Sequence, residues 1–185
     1  MQNYQWLFFD ADGTLFDYER AEGAALRQTF QLIGAPFDPG YLAEYRRINQ
    51  ALWQGVEQGE IKPHFVKVRR FELLLTSIGL VYSPEAFSAC YLERLAECSE
   101  LVEGAAEALD ALHRSYRVAI LTNGFQVVQR GRLARSIIHQ HVDGIIISEE
   151  IGFSKPAKEF FDVALARLGK SAPARSAHDR RRLDL

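Results

Sequence analysis

Asp10 and Asp12 stand one residue apart at the end of the apolar run Trp6-Leu7-Phe8-Phe9 and are followed by Gly13 and Thr14. An apolar run that stops at two acids and a glycine predicts a buried strand whose carboxyl end delivers carboxylates into a turn. Open α/β sheets bind ligands at that end. With Asp10 pointing along the strand axis and Asp12 swinging back from the Gly13 turn, one carboxylate can attack while the other moves a proton. An aspartate nucleophile splits substitution at phosphorus into two easier steps through an aspartyl-phosphate. The second aspartate then protonates the leaving alkoxide and later deprotonates water. Two neighbouring carboxylates repel, so a cation is expected between Asp10 and Asp12. Mg2+ is the expected ion, because it takes carboxylates together with phosphate oxygens. Taken alone, Asp-x-Asp-Gly is also a common turn, and the rest of the chain must supply the partners.

Two other apolar runs end in polar groups. Arg117-Val118-Ala119-Ile120-Leu121 leads into Thr122-Asn123-Gly124, and Gly144-Ile145-Ile146-Ile147-Ser148 leads through a loop to Lys155-Pro156. Helical patterns lie between and after them, at Gly104 to Leu112, Gln126 to Arg135 and Lys158 to Leu168, the last with Gly169 as its expected cap. Strands alternating with helices predict an α/β fold with a parallel, Rossmann-like sheet. At such strand ends the Thr122 hydroxyl and the Asn123 amide can hold phosphate oxygens, and Lys155 can neutralise phosphate and keep Asp10 ionised.

Between the acidic turn and these strands, about eighty residues keep helical periodicity. Helices are expected around Ala24 to Ile33, Tyr41 to Val56 and Pro63 to Ile78, and from the Ser83 N-cap through Leu95. This block reads as an all-helical cap at residues 18–97, inserted into a core made of residues 1–17 and 98–185. Trp53, Tyr45 and Phe71 read as bundle core, and Arg46-Arg47 and Arg69-Arg70 as solvated faces. His139, His141 and Asp143 carry metal-ligand residue types but fall between a helix and a strand, a poor place for a ligand cluster.

Composition narrows the classes. The chain has 185 residues, is 48% hydrophobic and 25% charged, and carries a formal charge of -2, so it can build a core and has no general attraction to nucleic acid or anionic membrane. Cys90 and Cys98 have no metal-ligand spacing, the start Met1-Gln2-Asn3-Tyr4-Gln5 is polar, and no stretch has the length of a membrane span. A cytoplasmic protein, monomeric or a weak homodimer, is expected.

In order along the chain, Asp10-Ala11-Asp12-Gly13-Thr14, Leu121-Thr122-Asn123-Gly124 and Lys155-Pro156 resemble three of the four motifs of the haloacid dehalogenase-like phosphohydrolases, over roughly residues 4–169. The resemblance implies that Asp10 is nucleophile and metal ligand, and that Asp12 is the acid/base whose backbone carbonyl meets the metal. Thr122 and Asn123 would bind phosphate, Lys155 would balance its charge, and the insert would be the family's mobile cap. By the same resemblance, an aspartate at position 12 favours phosphatases and phosphomutases over dehalogenases. More narrowly, Phe8 to Asp12, Asn49 with Leu52-Trp53, Thr122 to Phe125 and Ser148 to Gly152 are similar to noncanonical pyrimidine nucleotidases, which dephosphorylate nucleoside 5'-monophosphates. A phosphosugar phosphatase or phosphomutase, or an inactive protein that only binds phosphate ligands, are the alternatives.

The resemblance stops at the fourth motif, a strand followed by Gly-Asp and a further acid. Ser171 to Leu185 contains no apolar run, and nothing positions Asp179 or Asp184. Back-translated and read one base on, His178 to Leu185 can give Thr-Ile-Gly-Asp-Gly-Leu-Thr, which resembles the missing motif. The expectation is a shifted reading frame and an impaired enzyme, with weak magnesium binding and an exposed edge on the Asp10 strand prone to association.

Overall fold

The computed structural model describes residues 5–170, so Asp179, Asp184 and the reading-frame expectation lie outside the described residues. Its sheet has three parallel strands in the order β1 (Trp6–Phe9), β2 (Arg117–Thr122), β3 (Gly144–Ile147). Phe9 pairs with Ile120 and Ile120 with Ile145, so the carboxyl ends of all three strands are nearly level. Alternate residues face opposite sides. Phe9, Val118 and Ile120 join one core cluster, while Ala119, Leu121 and Ile146 pack under Phe160, Ala164 and Leu168. Those last three residues lie on the helix Lys158–Lys170. That helix runs through Gly169 instead of ending there, since one glycine in a last turn costs only about 1 kcal/mol. Among the described residues β1 is paired on one side only, and Phe8 is 41% exposed.

Between β1 and β2 come α1 (Tyr18–Leu32), α2 (Pro39–Glu57), α3 (Pro63–Ser77), α4 (Pro84–Glu97) and α5 (Ala105–His113). The helix starts follow capping chemistry. The side chains of Asp17, Asp38 and Ser83 accept backbone N–H bonds from the first turns of α1, α2 and α4, and proline opens α2, α3 and α4. The cap helices share a core in which Phe30, Tyr45, Phe71, Phe87 and Tyr91 are buried, and Phe125 and Val128 from the sheet side join it. Phe30 meets Phe37 and Phe87 edge-on, at 5.5 and 5.2 Å between ring centroids. Phe30→Ala is expected to destabilise the cap by about 3–5 kcal/mol, to be read from the midpoint of urea unfolding.

After β2 come α6 (Gln126–Arg135), a 3-10 turn (Ile137–His141), β3, the short α7 (Ser148–Ile151) and α8 (Lys158–Lys170). Sequence periodicity misses α7, because four residues are too few to show a period. Among the described residues no helix is long and apolar enough to cross a membrane.

Candidate active site

The level strand ends place the expected site residues around one cavity of about 640 Å³. Asp10, Asp12, Thr122, Asn123 and Lys155 line its core side, and Tyr18, Asn49 and Trp53 line its cap side. Asp10 follows the last β1 residue with its side chain 48% exposed, and its Oδ1 accepts from the Ala11 N–H at 2.8 Å. Lys155 Nζ lies 2.9 Å from the same oxygen and donates to the Leu121 carbonyl at 2.8 Å. The ammonium is thereby anchored to β2 while it faces the carboxylate of β1. Gly13, at φ +72°, makes the tight turn that follows Asp12, its N–H donating to the Phe16 carbonyl at 2.9 Å.

The structure gives Thr122 and Asn123 different work. Thr122 is buried, and its Oγ1 accepts from the Gly124 N–H at 3.0 Å, leaving the hydroxyl proton to donate. Asn123 Oδ1 accepts from the Lys155 N–H at 2.8 Å, and its Nδ2 donates to the Lys155 carbonyl at 2.9 Å. Its amide therefore pins the lysine loop to the end of β2, and one N–H remains for a ligand.

Asp12 has partners that no motif named. Gln129 Nε2 donates to Oδ2 at 2.6 Å, and Arg132 Nη1 to Oδ1 at 2.5 Å. Burial pushes the Asp12 carboxyl above the usual range, while the Arg132 charge and the bonds from Arg132 and Gln129 pull it back. Arg70 corrects the reading of a solvated face: it is 1% exposed, with Nη1 donating to Tyr45 Oη at 3.1 Å and to Asn49 Oδ1 at 3.2 Å. Its guanidinium carbon lies 4.8–5.9 Å from the ring centroids of Tyr45, Phe71, Tyr91 and Phe125, aromatic surroundings that favour a cation. Because Asn49 gives its oxygen to Arg70, its Nδ2 turns to Tyr18 Oη, 3.3 Å away. Trp53 packs on the cap cluster and also lines the cavity, 5.7 Å from Phe125. A charged residue beside Phe71 reads as surface until the partner helices are known, which is why the sequence hid Arg70.

Among the described residues no three His, Cys, Asp or Glu side chains converge as a metal group. Asp143 Oδ2 accepts from the Val118 N–H at 2.9 Å and lies 3.5 Å from His113 Nδ1, a structural tie. Asp10 and Asp12 supply only hard oxygen donors. That set fits Mg2+, which binds through one or two carboxylates and completes its shell with phosphate oxygens and water.

The family model for haloacid dehalogenase-like hydrolases matches residues 4–178. The chain belongs to the haloacid dehalogenase-like hydrolases. It is 32% identical to the pyrimidine 5'-nucleotidase YjjG of Escherichia coli over 90% of this chain and 72% of that protein. It is also 32% identical to the pyrimidine 5'-nucleotidase PynA of Streptococcus pneumoniae, over 86% and 68%. The magnesium-bound crystal structure of YfnB from Bacillus subtilis superimposes with a TM-score of 0.83 at 33% identity, covering 90% of this chain and 73% of that one. As a haloacid dehalogenase-like hydrolase, the chain has the family's parallel sheet with a helical cap between its first two strands.

Proposed function

We propose that this chain hydrolyses phosphate monoesters through an aspartyl-phosphate on Asp10 with Mg2+ bound, and that its substrates are nucleoside 5'-monophosphates. The observation that carries the reading is the Asp10–Lys155 pair at the floor of a cavity whose opposite wall is built from the cap. The finer substrate class rests on the likeness to the two pyrimidine 5'-nucleotidases.

Each residue then has a task. Lys155 faces the attacking Asp10 oxygen at 2.9 Å and offers positive charge to the phosphoryl group. Thr122 donates its hydroxyl to a phosphate oxygen, and the remaining Asn123 N–H can do the same. The Asp12 carboxyl gives its proton to the leaving alkoxide and recovers one from the water that cleaves the aspartyl-phosphate. Mg2+ would be held by the Asp10 carboxylate and by the Asp12 backbone carbonyl, and would neutralise charge on the phosphoryl oxygens. Tyr18, Asn49 and Trp53 surround the leaving group and exclude water.

Magnesium-dependent phosphate release from a panel of nucleotides and sugar phosphates tests the reading, and no release from any ester would overturn it. Trp53→Ala should lower turnover of nucleoside monophosphates by about tenfold relative to p-nitrophenyl phosphate, since truncating an aromatic wall removes 1–2 kcal/mol of contact with the base. Equal loss on both substrates would reduce Trp53 to packing. A phosphosugar substrate is the second reading. It draws on 30% identity to a ribulose-1,5-bisphosphate 5-phosphatase of Halopiger xanaduensis over 90% of this chain, and the same panel decides it.

A further inference from the structure

Gln129 and Arg132 lie three residues apart on α6, hence on one face of it, and that face meets Asp12. They are 1% and 0% exposed. Polar side chains so deeply buried are costly unless well partnered, and here each holds one oxygen of the same carboxyl group. A carboxyl gripped at both oxygens from a single helix has its plane fixed. Gly124 leaves room for this grip, because a Cβ there would stand 2.2 Å from Gln129 Nε2.

Arg132 reaches further. Its Nε donates to the Cys98 carbonyl at 2.9 Å, and its guanidinium carbon lies 4.5 Å from the Phe16 ring centroid. Phe16 precedes α1 and Cys98 follows α4, so these are the two connections between core and cap. The connections are tied to each other by the Phe16–Leu101 bridge and by Asp17 N–H donating to Glu100 O at 3.0 Å. One guanidinium therefore touches the expected acid/base and both cap connections.

We infer that Gln129 and Arg132 are positioning residues that hold the Asp12 carboxyl in its proton-transfer pose and tie that pose to the cap connections, an assignment that rests on the phosphatase reading above. In the first step the Asp10 Oδ–P bond forms, the P–O bond to the leaving group breaks, and the Asp12 proton moves to the leaving oxygen. In the second, water oxygen bonds to phosphorus, the Asp10 Oδ–P bond breaks, and the water proton returns to Asp12. A misaimed Asp12 slows the first step only when the leaving oxygen is basic, but it slows the second for every ester.

Rapid-quench kinetics of the full chain with Mg2+ separate the two steps. For Gln129→Leu, first-turnover cleavage of uridine 5'-monophosphate should fall roughly 10²-fold. The p-nitrophenolate burst should keep its rate and be followed by slowed turnover as phosphoenzyme accumulates. Arg132→Lys, which keeps a cationic donor, should lose less than Arg132→Met. First-turnover rates that fall equally for both esters, or change for neither, would overturn the assignment. If the unaltered chain cleaves no ester, the phosphatase reading itself has failed, and a crystal structure of Gln129→Leu decides the positioning role. The Asp12 carboxyl should there leave its present rotamer, and an unmoved Asp12 would refute the grip.

Discussion

Asp10→Asn is expected to abolish phosphate release, with a loss on the order of 10⁶-fold, the scale reached when a catalytic nucleophile is removed. The amide is nearly isosteric but cannot form the acyl-phosphate bond. The fold should barely notice. Asp10 is half exposed, its pair with Lys155 is of the kind worth about 0–1 kcal/mol, and Lys155 keeps its bond to the Leu121 carbonyl. Thermal melting should therefore coincide with that of the unaltered chain while single-turnover assays show no phosphoenzyme. Substantial turnover in the variant would remove Asp10 from the role.

Asp12→Asn should cost roughly 10²–10⁴-fold, the usual contribution of a positioned acid/base. Unlike the Asp10 variant, it should still accept a phosphoryl group from an ester with a good leaving group and then stall. Mass spectrometry should find the phosphate trapped on Asp10. The same change sets an amide NH2 against one of the two donors, Gln129 or the fully buried Arg132, that now meet carboxyl oxygens, while keeping one acceptor, so a stability loss of about 1–3 kcal/mol is expected. Failure to trap phosphoenzyme with either ester would place the proton transfer elsewhere.

The placement of these two residues at a strand end was legible without coordinates because it rests on neighbouring residues alone. An apolar run, two acids and a glycine imply a strand, its end and a turn, and β1 with Gly13 at φ +72° is that arrangement. The place of Thr122 was legible for the same reason, as it ends the β2 run, whereas Lys155 lies eight positions beyond β3 with α7 between. The cap helices announced themselves by period and, for α3 and α4, by their Pro63 and Ser83 starts, whereas the Asp38 start of α2 came only from the structure.

What the sequence alone determined, then, is which elements form, in what order, and which polar groups stand at their ends, since periodicity and turn chemistry act over a few neighbouring residues. Only the tertiary structure decided what those groups touch. Arg132 and Asp12 are separated by 120 positions, and Arg70 and Asn49 by 21. Whether an arginine faces solvent or a buried carboxylate depends on which helices pack against its own. Asn123 looked like a phosphate ligand, and packing turned most of its amide toward the Lys155 backbone 32 residues away. Contacts between distant parts of the chain leave no period in the sequence, because they arise only when the cap and the sheet close over a shared cavity.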